Sequence, residues 1–154
     1  MGRLEWYYQD KLFTENDIDD NYGFVYIIEN LLNGKKYVGK KLFWSSKTKQ
    51  VNKKRKKFKV PSDWQDYYGS NDVLRKDIET HGKENFTRTI LHLCKSKGEC
   101  SYLEAKEQFK RGVIESVEYY NTWIMVRVRD SHIKNYIERK NSDRNPKESQ
   151  RVEL

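Results

Sequence analysis

The sequence is poor in residues that staple or break a chain, with two prolines and two cysteines among 154 residues. Two cysteines cannot build the disulfide framework of a small secreted domain, and they fit a reducing compartment. Zinc normally takes four ligands. Cys94 and Cys100 with His81 and His92 supply four on paper, but the spacing Cys-x5-Cys is not a usual zinc pair. The cysteines read instead as small apolar side chains packed near a strand end. No apolar run reaches the roughly eighteen residues a membrane span needs, so no membrane partner is expected. The N-terminal MGRLEWYYQD lacks the basic-then-apolar pattern of a secretory signal. Trp6 stands where a myristoylation motif wants a small hydroxyl residue. The expected compartment is the cytoplasm.

What the chain does hold is charge and aromatic surface. Charged residues make up 35%, aromatics 14%, and the net charge is +8. A core of Tyr, Phe and Trp is within reach at this length. The positive charge is clustered: Lys47–Lys59, KTKQVNKKRKKFK, has eight basic residues among thirteen. Such a run points to a polyanion, because each phosphate neutralised releases counterions. No apolar period supports a packed element there, so a loop or flexible arm is expected.

The stretch GFVYIIENLLNGKKYVGKK, Gly23 to Lys41, has two aromatic and β-branched runs about a turn. Residues 23–29 and 35–39 read as antiparallel strands. Asn33-Gly34 is the turn signal, because both central positions of a tight hairpin turn favour a left-handed backbone. Tyr26 and Tyr37 then sit on opposite strands, where cross-strand neighbours lie about 5 Å apart. Asn71 or Asp72 caps a helix to about Thr80, closed by His81-Gly82. Phe86–Cys94 reads as a third strand. Ser101 with Glu104 spells a capping box for a helix over 101–115. Residues 119–128 form a last aromatic, β-branched segment. Beyond Arg129 the chain is polar, with one short helix about Ile133, Tyr136 and Ile137 and a disordered last dozen. The fold class expected is α+β in a sandwich-like arrangement: a small central antiparallel three-stranded sheet flanked by helices, with a basic insertion at 44–62 and a charged C-terminal tail.

These residues resemble the GIY-YIG nucleases. Phe24-Val25-Tyr26 stands for Gly-Ile-Tyr, and Tyr37-Val38-Gly39 for Tyr-Ile-Gly. His81-Gly82, Phe86 and the strand to Leu91 match the middle of that domain. LEAKEQF, Leu103 to Phe109, matches the helix carrying its metal-binding glutamate, and Tyr120-Asn121 its closing pair. The resemblance covers roughly residues 22–128, leaving 1–21 as a lead-in and 129–154 as a tail. WSSKTKQVNKKRKKFKVPSDWQDYYGSND and SYLEAKEQF are similar to a phage-encoded branch described as homing endonucleases.

The resemblance implies hydrolysis of phosphodiester bonds in double-stranded DNA with one divalent metal, Mg²⁺ or Mn²⁺, in a host cell's cytoplasm. It implies Glu107 as the metal ligand, Tyr26 orienting or deprotonating water, and Tyr37 bonding the scissile phosphate or sharing the base role. A free phenol titrates near ~10 and is a poor base at neutral pH. Lys40 is placed to stabilise its phenolate. Gly39 leaves room for the phosphate. The family's arginine position is occupied by Lys47, which lacks a bidentate fork. Arg55 is therefore assigned as the clamp, with Arg75 as the fallback. Asn121 buttresses Glu107 or the hairpin. Lys47, Lys49, Lys53, Lys54, Lys56, Lys57 and Lys59 would track DNA phosphates. Trp64, Tyr67 and Tyr68 read as a packed cap over the sheet. A homodimer is one route to site specificity, since no separate sequence-reading module is evident. The alternative is a non-catalytic DNA-binding or RNA-binding protein on the same fold.

Overall fold

The chain folds around one mixed sheet with helices on both faces. The computed structural model describes residues 4–142. The main sheet has five strands: β1 (Trp6–Tyr8), β2 (Lys11–Phe13), β3 (Gly23–Asn30), β4 (Lys36–Leu42) and β7 (Phe86–Cys94). Their order is β2-β1-β7-β3-β4, and only β1 and β7 run parallel. The expected three-stranded antiparallel sheet is thus the core of a larger one. The aromatic lead-in supplies the two extra strands, because Trp6 and Phe13 bury fully only by extending the sheet.

Two faces give two cores. Phe24, Tyr26 and Ile28 of β3 pack with Trp6, Phe43, Trp64 and helix α1 (Asp72–His81) on one side. Val25 and Val38 pack with helix α2 (Lys97–Arg111) on the other. Alternation along β3 sorts the residues between them. Arg88 ties the aromatic cap to the first face. Its guanidinium donates to the carbonyls of Gln65, Tyr67 and Leu4 and lies between the rings of Trp6 and Tyr68. The segment around Trp64, Tyr67 and Tyr68 is accordingly a packed cap.

Three local expectations are corrected. The β3–β4 connection is a longer loop over 31–35, in which Gly34 has φ 75° and Asn33 is not left-handed. Two-residue left-handed turns occur instead at Gln9-Asp10 and at Asn52-Lys53. The basic run is not an arm: it is a second, two-stranded sheet of β5 (Trp44–Val51) and β6 (Lys54–Pro61). Helix α2 begins four residues before the expected start, with Ser96 rather than Ser101 accepting a bond from the Glu99 N–H. The Ser101–Glu104 capping box therefore does not form, and both side chains are free for other work. A third helix, α3 (Lys134–Ser142), follows Arg129 and lays Tyr136 near Tyr102. The last dozen residues, expected to be disordered, lie outside those described. No helix among the described residues is long and apolar enough to cross a membrane.

Candidate active site

The site forms where the edge strand β4 meets α2. Tyr26 pairs with Gly39 and Ile28 with Tyr37, so the two tyrosines are diagonal neighbours on one face. Their ring centroids are 6.2 Å apart. Gly39 lies between them. A Cβ there would come within 2.5 Å of the Tyr26 hydroxyl oxygen and 2.9 Å of the Tyr37 ring. Gly39 thus makes room for the two phenols. Tyr26 is fully buried and has no slack to yield. Gly39→Ala is expected to destabilise the fold by about 2 kcal/mol through overpacking. A urea melt checks this, and a wild-type midpoint would show that the tyrosine can move.

Both tyrosines line a cavity of about 330 Å³ together with Lys40, Ser70, Glu104, Gln108, Asn121 and Trp123. The Tyr26 hydroxyl finds no hydrogen-bond partner among the described residues. Burial, then the nearby Tyr67, Tyr37 and Glu104, push its phenol well above the ordinary value. Tyr37 is also pushed up by burial, although a 3.2 Å bond to Ser70 Oγ and the charge of Arg75 pull it back. Glu104 reaches both tyrosines electrostatically. Burial raises its carboxyl to about 7, against the lowering pull of Lys40.

Glu107 is elsewhere. Its Oε1 meets His92 Nε2 at 2.8 Å, and its Oε2 accepts from Arg111 Nε at 2.9 Å. Burial pushes its carboxyl up, but these two bonds outweigh that and hold it below the usual range. Helical geometry explains the separation. At about 100° per residue, Gln108 lies about 40° round the helix from Glu104 on one flank and Glu107 about 60° round on the other, so Gln108 and Glu107 point about 100° apart. Gln108 confirms the direction: its amide donates to the Val38 carbonyl on β4. Glu107 faces β7, where a bulge opposite Val25/Tyr26 shifts the phase of the strand and turns His92 toward α2. The expected metal ligand is thus held in an ion-pair cluster, and the acid beside the tyrosines is Glu104.

Other expectations are corrected by position. Arg55 lies near the tip of the β5–β6 hairpin and lines no part of the cavity. Arg75 is nearer, its Nε held on the Gly69 carbonyl beside Ser70. Lys40 does line the cavity; its ammonium donates to Ser101 Oγ at 2.6 Å, and its charge lowers the Glu104 carboxyl. Asn121 grips the edge strand, its Oδ1 accepting from Val38 N–H and its Nδ2 donating to Val38 C=O. It pairs with a peptide group as a neighbouring strand would, which covers an exposed sheet edge. It buttresses the hairpin and not Glu107. His81 belongs to a separate network with Asn30, Tyr120 and Asp77. Cys94 and Cys100 are buried between β7 and α2. Among the described residues no three His, Cys, Asp or Glu side chains cluster as a metal site would require. One half-buried carboxylate, Glu104, beside hydroxyls fits only a sparsely held hard cation, which keeps most of its shell for water and substrate oxygens.

A tyrosine hairpin facing a helix-borne acid across a small sheet defines a nuclease domain of the GIY-YIG class. Residues 6–124 match the family described as "Putative endonuclease segE, GIY-YIG domain", and the chain belongs to that family. It is 35% identical over 100 residues to the "Putative endonuclease segE" of Enterobacteria phage T4. That match covers 65% of this chain but 40% of the relative, so the chain spans under half of the relative's length. No solved structure matches it.

Proposed function

We propose that the protein is a phage-type endonuclease that hydrolyses DNA phosphodiester bonds with the help of one divalent cation. The observation that carries this reading is the convergence of Tyr26, Tyr37 and Glu104 on one cavity. Glu104 would hold the cation, Mg²⁺ or Mn²⁺, by a hard carboxylate oxygen. The cation, when bound, supplies charge that stabilises a phosphate gaining negative charge. The protein's own groups do the rest. The Tyr26 phenol, kept neutral by burial, orients the attacking water rather than acting as a standing phenolate. Tyr37 and Ser70, already within 3.2 Å, present hydroxyls to a phosphate oxygen. Lys40 adds positive charge on the Glu104 side, and Arg75 on the Tyr37 side. Arg75 takes the clamp role first given to Arg55, since a guanidinium grips a phosphate in bidentate fashion.

A supercoiled-plasmid assay tests the reading. Nicking or linearisation is expected with Mg²⁺ and none with excess EDTA. Undiminished cutting in EDTA would reject the cation. Binding of DNA without any cutting, across several divalent metals, would favour a non-catalytic binder, and preference for structured RNA over duplex DNA would favour an RNA-binding role.

A further inference from the structure

The basic hairpin is built in a way that a simple phosphate-tracking arm would not need. Both strands are almost wholly exposed, and they pair with each other alone. An isolated two-stranded ribbon is marginal in water. Here it also sets Lys49 directly opposite Lys56, a like-charge pair that weakens it further. Both costs fall when a polyanion lies against it.

The register sorts the side chains by chemistry. Ser46, Thr48 and Gln50 share one face with Arg55 and Lys57, and Gln50 is directly opposite Arg55. Lys47, Lys49, Lys54 and Lys56 occupy the other face with Val51 and Phe58. Lys59, at the base, lies over the Tyr22 ring 4.8 Å away and anchors the ribbon to the body. The distal part of the first face thus carries Gln and Arg side by side. These two types bond bidentately to adenine and guanine edges, respectively. The second face carries lysines, point charges on flexible stems.

We propose that this ribbon enters the DNA major groove and reads base edges with Gln50 and Arg55. The proposal rests on the reading of duplex DNA as the substrate, and it names the source of site preference. Dimensions favour the major groove. It is about 12 Å wide and 8.5 Å deep and admits a two-stranded ribbon, whereas the minor groove, about 6 Å wide, does not. With the Gln50–Arg55 face on the groove floor, the backbone of the ribbon sits near the level of the phosphates. The opposite-face lysines then reach the two rims. The ribbon continues directly from β4, which carries Tyr37, Gly39 and Lys40. Its eight-residue strands span about 26 Å, so the bases read lie within about one helical turn of the cut bond.

The test selects bound duplexes from a randomised pool, with plasmid cutting run in parallel on the same preparations. Wild type is expected to enrich one or two defined base pairs by about tenfold to a hundredfold over the alternatives. Arg55→Lys keeps the charge but not the fork, so its salt slope is expected to match wild type while the preference at one position disappears. Gln50→Ala is expected to erase preference at a neighbouring position. Lys49→Ala with Lys56→Ala is expected to lower affinity for all sequences alike and to flatten the salt dependence by about two units. If Arg55→Lys retains full preference, or if wild type binds and cuts with no preference, the ribbon does not read bases. Absence of both binding and cutting by wild type would instead overturn the nuclease reading itself.

Discussion

Glu104→Gln is expected to lower cleavage by at least about a thousandfold while making the protein more stable at pH 8. The loss follows from removing the one carboxylate that faces both tyrosines. A cation contact of several kcal/mol converts to a rate factor of that size. The gain in stability follows from the same burial. Below pH 4.5, the ordinary value, the Glu104 carboxyl is largely protonated in folded and unfolded chains alike and costs nothing. Between there and about 7 the unfolded chain ionises while the fold resists. Above that range the folded protein carries a half-buried charge that water would solvate better in the unfolded chain. This cost is on the order of 2 kcal/mol after discounting for partial exposure. The glutamine variant should therefore gain about that much at pH 8 and nothing at pH 4, as denaturant melts at the two values would show. Cleavage by wild type at limiting Mg²⁺ should rise with pH toward neutrality as the carboxylate forms. Glu107→Gln should do the reverse of Glu104→Gln at pH 8. It breaks the links to His92 and Arg111, costs about 1 kcal/mol, and leaves the rate within a few-fold of wild type. A dead Glu107→Gln beside an active Glu104→Gln would restore the acid first chosen from the sequence.

The contrast between those two glutamates shows what the residue string carries and what it does not. The β3–β4 pairing, α1, β7 and the existence of α2 were legible, because β-branched runs, Asn71 as cap and His81-Gly82 as stop are local signals. The tyrosine pair was legible too, since its geometry depends on one hairpin. The choice between Glu104 and Glu107 depends on which side of α2 faces the edge of β4 and which faces β7. Ser101-x-x-Glu104 imitated a cap and diverted Glu104 to a local role, whereas Ser96 holds the true start. The one available clue was Gln108, four residues beyond Glu104 on the same side of the helix and next to the apolar seam. The basic ribbon was missed for a related reason. Period-two alternation of lysine with lysine, threonine or glutamine carries no hydrophobic signal, so exposed strands leave no trace in an apolar pattern. Arg55 was likewise assigned by elimination along the chain, and the register of β5 with β6 moves it away from the cavity.

Tyr26→Phe is expected to separate folding from chemistry most sharply. The ring of Tyr26 is a core element, in edge contact with Trp6 and Tyr67 and close to Phe24. Phenylalanine preserves all of those contacts. The hydroxyl, by contrast, is buried with the Tyr67 side chain as its polar neighbour but makes no well-formed hydrogen bond among the described residues. A buried polar group left unpaired costs about 1–3 kcal/mol relative to the same group in water. Its deletion should therefore raise stability by about 1 kcal/mol. Meanwhile cleavage should fall by about a hundredfold or more, the usual contribution of a group that positions or relays a proton. Affinity for DNA is expected to stay unchanged, because phenylalanine leaves the proposed phosphate contacts of the ribbon, Arg75 and Lys40 in place. Parallel melts, nicking assays and binding titrations on one variant would resolve the three quantities. Lower stability with proportionate loss of activity would mean that the hydroxyl is satisfied in solution and serves the fold. The structure argues otherwise through Gly39. A glycine inside an edge strand weakens that strand, and this one leaves 2.5 Å between its absent Cβ and the Tyr26 oxygen. The chain thus accepts a weakened strand and a desolvated hydroxyl at the same point, and packing alone gains from neither.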